Sequence, residues 1–135
     1  MKEEVKNWII KGLNDYKTAQ KLINLPEDEI ITDTLCFHCH QSAEKFLKAF
    51  LVHNGVDFER THSLEYLIKL CSTVDKEFEA LYEIAKNLTD YAVEIRYPDE
   101  FYIPSVKEAR EAFNSATFIK EFIFIKKLNI REDLK

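Results

Sequence analysis

Residues that make tight turns are scarce in this sequence, and that scarcity limits the folds open to it. The 135 residues include 2 glycines and 3 prolines. A β-sandwich or barrel needs a turn about every ten residues, usually built with Gly, Pro, Asn or Asp. Hydrophobic residues make up 46% of the chain, enough for a real core. The sequence therefore predicts one all-α domain over residues 1–135, made of a few long helices with short connections.

The stretch from Asp33 to Asn54 is predicted to form the central helix. At about 100° per residue, one broad face of this helix is apolar and carries Cys36, Cys39, Ala43, Phe46, Leu47 and Phe50. Asp33 is the predicted N-cap, and Asn54-Gly55 is a helix stop signal. A helix this apolar belongs at the centre of a bundle.

Four further helices are predicted from apolar residues that recur every three or four positions. Their predicted spans are Val5 to Leu25, a short helix from Leu64 capped by Thr61 or Ser63, Lys76 to about Ile95, and Ser105 to about Leu128. Ser105 and Glu108 form a capping box. Gly12, inside the first helix, indicates a close contact with a neighbouring helix. Residues 130–135 are predicted to be a polar tail.

Charge and cysteine content indicate which partners and which cellular compartment to expect. The net charge of −5 and the pI near 5.4 argue against a generic nucleic-acid binder, and no DNA partner is expected. They leave room for a small basic site. Three cysteines and no export signal predict a cytoplasmic protein with free thiols. No apolar run approaches the roughly 18 residues needed to cross a bilayer, so no membrane association is expected.

The last predicted helix carries two apolar stripes. One contains Ala109, Ala112, Phe113, Ala116, Ile119 and Ile123, and the other, on roughly the opposite side, contains Phe118, Phe122 and Ile125. The second stripe either packs under the first helix or joins two copies of the chain. Because a terminal helix of a small bundle is seldom enclosed, we favour a homodimer interface.

Two thiols and an imidazole lie together on the central helix. Cys36, Cys39 and His40 share one side of it, which raises the question of a metal site. Zinc normally takes four ligands, often as two spaced pairs, and Cys71 is the remaining cysteine. We therefore predict no metal site and cysteines that pack in the core.

A polar stripe on the central helix has two interpretations. It consists of Gln41, Glu44, Lys45 and Lys48. It is either a solvated helix face, with Glu44 and Lys48 paired at i,i+4, or a site for a nucleotide or phosphate. In the second case a lysine supplies the cation and Gln41 a hydrogen bond.

His62 and Arg96 are the other candidate site residues, and each has a structural alternative. The unperturbed pKa of histidine suits acid–base chemistry, but His62 also stands where a histidine bonds locally at a helix start. An arginine that leaves a helix into a Tyr-Pro loop presents its guanidinium to phosphate or carboxylate. Arg96 alternatively forms a salt bridge with Asp99, Glu100 or Glu44.

Three segments of the chain resemble HEPN domains (higher eukaryotes and prokaryotes nucleotide-binding). From Cys36 to Ala49, a phenylalanine, a glutamine, Ala-Glu-Lys and then Lys-Ala recur at the spacing of that family's central helix. Thr61-His62-Ser63-Leu64 is similar to the start of its third helix, and Arg96-Tyr97-Pro98-Asp99 to its arginine-tyrosine-proline loop. Trp8 stands where its first helix often carries an aromatic residue.

This resemblance implies an up-and-down bundle of about five helices, commonly a homodimer. Many small prokaryotic members are encoded beside a minimal nucleotidyltransferase and form a complex with it, and some pairs act as toxin and antitoxin. The resemblance therefore implies such a partner, with ATP, GTP or RNA as ligand and no other cofactor. It places nucleotide or partner binding on Gln41, Glu44, Lys45, Lys48, Arg96, Tyr97 and Asp99.

The sequence departs from the ribonuclease pattern of the family. Toxins in the family cleave RNA without metal, using an arginine and a histidine four to six residues after it. Residues 97–104 contain no histidine, and all four histidines precede Arg96. General acid–base groups typically contribute ~10²–10⁴-fold to rate. We therefore favour a non-catalytic binding module over the alternative, a divergent ribonuclease that uses Arg96 and His62.

Overall fold

All regular structure in the described residues is helical. The computed structural model describes residues 1–92 and 102–130, which contain no strand. Its α-helices are α1 (Glu3–Ile23), α2 (Thr32–His53), α3 (Leu64–Val74), α4 (Leu81–Ala85) and α5 (Val106–Glu121). Short 3₁₀ helices cover Glu27–Glu29, Lys76–Ala80 and Thr89–Tyr91, and a π-helix covers Phe122–Leu128. The predicted all-α bundle of five helices is confirmed.

Helix α2 lies at the centre of the bundle, as its apolar face predicted. It packs against α1, α3 and α5. Leu35, Phe46 and Leu51 are fully buried, and burying a side chain of this size stabilises a fold by about 1.5–3 kcal/mol. Cys36 and Cys39 are also fully buried, so the prediction that they pack in the core is confirmed.

Helix α1 approaches α2 closely at Gly12. A Cβ atom at this position would lie 2.6 Å from Cε1 of Phe46, well inside van der Waals distance. The Phe46 ring is fully buried and packs edge-to-face against Phe124, with centroids 5.0 Å apart. The predicted close contact at Gly12 is therefore confirmed, and Phe46 is the residue that requires it.

Helix α2 starts earlier in the chain than predicted. Thr32 is the first helical residue and Ile31 is the N-cap, without a side-chain cap bond. The Thr32 hydroxyl donates to the Pro104 carbonyl at 2.7 Å, which ties this end to the segment before α5. Asp33 lies in the first turn, where its negative charge favours the helix N-terminus. The prediction of Asp33 as N-cap was wrong.

Residues 76–92 do not form the single long helix that their periodicity predicted. The apolar positions Phe78, Leu81 and Leu88 are all buried, so the buried face was assigned correctly. The backbone, however, leaves the α-helix at Ala85. The Thr89 hydroxyl donates to the Ala85 carbonyl at 3.1 Å and so satisfies the acceptor that a continuing helix would use.

The C-terminal end of the last helix changes its hydrogen bonding. The capping box of Ser105 and Glu108 is present, and α5 continues directly into the π-helix, which ends at Leu128 as predicted. Asn129 adopts the left-handed conformation with φ of 52°. The Ile130 amide then donates to the Phe124 carbonyl at 2.8 Å, and Ile130 is buried. Ile130 therefore does not belong to a polar tail as predicted, and residues 131–135 lie outside the described part.

Gly12→Ala is expected to destabilise the protein. In an open helix this change stabilises by about 1 kcal/mol, but here the added methyl group meets the confined Phe46 ring. Overpacking of this kind costs about 1–3 kcal/mol. The net effect should therefore be a lower free energy of unfolding, measured by urea titration. Adding Phe46→Leu should lessen the penalty of Gly12→Ala. A Gly12→Ala protein more stable than the parent would contradict the close contact.

Candidate functional site

The polar stripe of α2 is largely buried. Glu44 is 3% exposed and Lys48 is 7% exposed, and the Lys48 ammonium donates to Glu44 Oε2 at 2.8 Å. The predicted i,i+4 pair is therefore present. The interpretation of the stripe as a solvated face is wrong for these two residues, because the residues before α3 and the N-terminal part of α1 cover them.

The connection between α2 and α3 supplies the remaining partners of this pair. His62 Nδ1 lies 3.0 Å from Glu44 Oε1, and because a carboxylate only accepts, the imidazole donates through Nδ1. The Lys48 ammonium also donates to the Thr61 carbonyl at 3.2 Å. It lies 5.2 Å from the centre of the Trp8 ring, within cation–π range. These contacts offset the desolvation of both charges.

A second charged cluster joins α1 to α2, and sequence reasoning missed its central residue. The Asp15 carboxylate accepts from Lys45 at 2.5 Å through Oδ2 and from His38 Nδ1 at 2.7 Å through Oδ1. Asp15 is buried. A signal was present in the sequence, since Asp15 is an acidic residue between Leu13 and Tyr16 on the buried side of α1.

The two clusters have the same arrangement of hydrogen bonds. Each carboxylate accepts from a lysine with one oxygen and from a histidine Nδ1 with the other, which leaves Nε2 of both rings for other partners. His62 is the more accessible, with 61% of its side chain exposed, whereas His38 is half-buried. His62 is thus held by a carboxylate and not merely by the helix start. Within the described residues, no nucleophile is bonded to it.

Two buried polar atoms beside these clusters have no hydrogen-bond partner within the described residues. They are His40 Nδ1 and Gln41 Oε1. His40 Nδ1 lies 3.8 Å from Glu44 Oε1, too far for a hydrogen bond. Burial lowers the pKa of His40 from its usual value of 6.5, and the negative charge of Glu44 opposes this effect only in part. His40 is therefore a neutral buried histidine inside a charged cluster.

Trp8 and Lys45 border an open groove on the surface formed by α1 and α2. The groove has a volume of about 410 Å³ and is lined by Glu4, Asn7, Trp8, Lys11 and Lys45. Of the predicted stripe, Lys45 is the residue that reaches this groove, while Glu44 and Lys48 lie beneath the covering residues.

A separate apolar groove follows α5 and the π-helix. Its volume is about 380 Å³, and its lining consists of Asn114, Thr117, Phe118, Glu121, Phe122, Ile125 and Lys126. Phe118 is 50% exposed and Ile125 is 65% exposed. Phe122 is buried and packs edge-to-face on Phe78, with centroids 5.1 Å apart. The three residues predicted as an interface thus border one groove, with Phe122 reaching inward to the core.

The remaining candidates are placed as follows. Cys36, Cys39 and Cys71 are free and buried, and burial raises the pKa of Cys36 to about 12. Among the residues that the structure describes, no three His, Cys, Asp or Glu side chains are arranged to hold a metal ion. The predicted site residues Arg96, Tyr97 and Asp99 lie outside the described residues.

Comparison with known proteins identifies the fold. The profile of the HEPN domain family matches residues 5–128. The crystal structure of TT1696 from Thermus thermophilus is similar, with a TM-score of 0.71, 25% identity, and coverage of 93% of this chain and 99% of that one. ST0689, an archaeal HEPN homologue, has the same fold, with a TM-score of 0.67, 24% identity, and coverage of 94% and 99%. No curated protein matches the chain.

His40 is expected to make stability depend on pH. Because its pKa is lowered in the folded state, the unfolded chain binds the proton first as the pH falls. Its contribution is therefore fully present above pH 6.5 and is lost as the pH falls below that value, by up to about 1.4 kcal/mol per pH unit. His40→Gln should flatten this part of the stability curve, measured by urea unfolding.

The control for this comparison is His53→Gln, at an exposed position on the same helix. A stability curve with the same slope in the parent protein and in His40→Gln would exclude a role for His40 in acid sensitivity.

Proposed function

The chain belongs to the HEPN domain family, and we propose that it is a homodimeric binding module that acts with a minimal nucleotidyltransferase and binds a nucleotide. In this proposal the pair is of the toxin–antitoxin type and works in the cytoplasm. Three free, buried thiols support a reducing compartment. Within residues 1–92 and 102–130, no helix has the length and apolar character needed to cross a membrane.

The apolar groove on α5 is the observation that carries the dimer proposal. Phe118 and Ile125 expose large apolar side chains in this groove, and the buried Phe122 ring also lines it. Removing such side chains from water is favourable by about 25 cal/mol per Å² of apolar surface. A contiguous exposed apolar patch on a small protein usually marks an interface.

A second copy of the chain is the occupant that this groove fits. In a two-fold symmetric dimer the same surface meets itself, so the groove must be self-complementary. Two copies of the last helix that cross antiparallel place Phe118 of one copy against Ile125 of the other. The same arrangement brings Glu121 of one copy towards Lys126 of the other, and both line the groove. The apolar and charged residues therefore match across one symmetry axis.

Phe118→Glu combined with Ile125→Glu should convert the dimer to a monomer. The symmetric interface would then have to bury four carboxylates, two from each copy, and burying unpaired charges in an apolar environment is very costly. Sedimentation of the parent protein should give twice the chain mass of 16.0 kDa at micromolar concentration, and the double variant should give the chain mass. Ile10→Glu replaces another exposed apolar side chain on a helix surface and should leave the dimer intact. A parent protein that sediments as a monomer would refute the dimer.

The nucleotidyltransferase partner should appear by co-purification from the native source. Family membership and the Arg96-Tyr97-Pro98-Asp99 segment support this proposal. A second chain with a Gly-Ser and Asp-x-Asp nucleotidyltransferase signature should elute with the protein and dissociate only under denaturing conditions. Recovery of the homodimer alone from cells that express both neighbouring genes would count against the partner.

A divergent ribonuclease that uses Arg96 and His62 is the second candidate. The bond from His62 to Glu44 favours it, because it directs Nε2 of an exposed imidazole towards solvent. It ranks behind the binding module because residues 97–104 lack a histidine. The purified dimer should therefore leave RNA intact, and cleavage that is lost in both Arg96→Ala and His62→Gln would reverse the ranking.

A further inference from the structure

Helix α1 is basic on an otherwise acidic protein. The chain has a net charge of −5, yet α1 and its N-cap carry five lysines and three acidic residues: Lys2, Lys6, Lys11, Lys17, Lys21, Glu3, Glu4 and Asp15. Asp15 is buried and bonded to Lys45 and His38. The exposed surface of α1 therefore attracts anions.

Trp8 supplies an aromatic wall on this surface, at the groove defined above. Its ring is half-buried and held in place by the Lys48 ammonium at 5.2 Å and by Phe58, whose centroid is 6.4 Å away in an edge-on arrangement. A ring fixed in this way loses little conformational freedom when a ligand stacks on it. Aromatic side chains beside cations are the usual platform for an unpaired base.

Two ammonium groups lie beside this wall. Lys45 is held by Asp15 at 2.5 Å, which sets its position in the groove. Lys11 is exposed and forms no hydrogen bond or ion pair within the described residues. Glu4 and Asn7 complete the lining with an acceptor and an amide. The groove thus joins an aromatic surface, two cations and hydrogen-bonding groups in about 410 Å³, the size range of small-ligand sites.

We propose that this groove binds a nucleobase together with its phosphate, with the base on Trp8 and the phosphate on Lys11 and Lys45. The proposal rests on the nucleotide binding in the proposed function and gives it a location. Lys48 is excluded as the phosphate ligand because it is buried, does not line the groove and is bonded to both Glu44 and the Thr61 carbonyl. Lys45 is bonded to Asp15 but lines the groove, where its ammonium can also donate to a phosphate. A free nucleotide and a single strand of RNA both present a base and a phosphate, so either could occupy the groove.

Intrinsic fluorescence tests the site directly, because Trp8 is the single tryptophan of the chain. With excitation outside tyrosine absorption, AMP, ATP and a short oligoadenylate should quench the emission saturably. Lys11→Glu should weaken binding about tenfold or more, as expected for loss of a charged hydrogen bond. Lys21→Glu makes the same charge change on an exposed part of α1 outside the groove and should bind like the parent. Added salt should weaken binding in the parent.

The outcomes separate this site from the wider proposal. Nucleotide that raises the melting temperature without quenching Trp8 would place binding elsewhere and overturn the groove, while nucleotide binding itself would stand. Equal quenching of Lys11→Glu and the parent would also overturn the groove. Neither quenching nor thermal protection at millimolar nucleotide would remove nucleotide binding altogether. Saturation by AMP as tight as by oligoadenylate identifies a free nucleotide as the ligand, and saturation by the oligomer alone identifies a single strand.

Discussion

The close approach of α1 and α2 at Gly12 is the contact on which the rest of the described structure depends. Because Gly12 has no side chain, the Phe46 ring of α2 fills the space where a Cβ would lie. Trp8 and Asp15 lie one turn to either side of Gly12 on the same line of α1. The approach therefore brings Trp8 over Lys48 and brings Asp15 to His38 and Lys45.

The Asp15 cluster is a consequence of that approach, whereas the Glu44 cluster is formed by α2 and the residues before α3 and receives only the Trp8 ring from α1. A buried carboxylate is costly unless it is paired and hydrogen-bonded, and Asp15 and Glu44 each accept from one lysine and one histidine. A buried ion pair adds little net stability, but removing one of its partners is costly because it leaves an unpaired buried charge. Beside these clusters, the buried Nδ1 atom of His40 and Oε1 atom of Gln41 have no hydrogen-bond partner in the described residues, and an unpaired buried polar atom lowers stability.

The residues of the α2 stripe have two different surroundings, since some are buried in ion pairs and one lines a surface groove. Glu44 and Lys48 bond to each other and to the residues before α3, so they fasten that segment to α2. Lys45 reaches the groove beside Trp8 and Lys11, where a ligand has access. The apolar groove on α5 is a second exposed surface, formed by different residues. The proposed interface between copies and the proposed ligand site therefore lie on different surfaces of the chain and do not compete.

Helix content, the buried faces and the capping box followed from the sequence alone, because hydrophobic spacing and local hydrogen bonds act within a few residues along the chain. The sequence also indicated the family through α2 and predicted the close contact at Gly12. The partner of Gly12, the role of Asp15 and the burial of Glu44 and Lys48 were decided by tertiary structure. Each depends on which helix lies opposite, and burial and pairing of charges are properties of that packing rather than of any local sequence pattern.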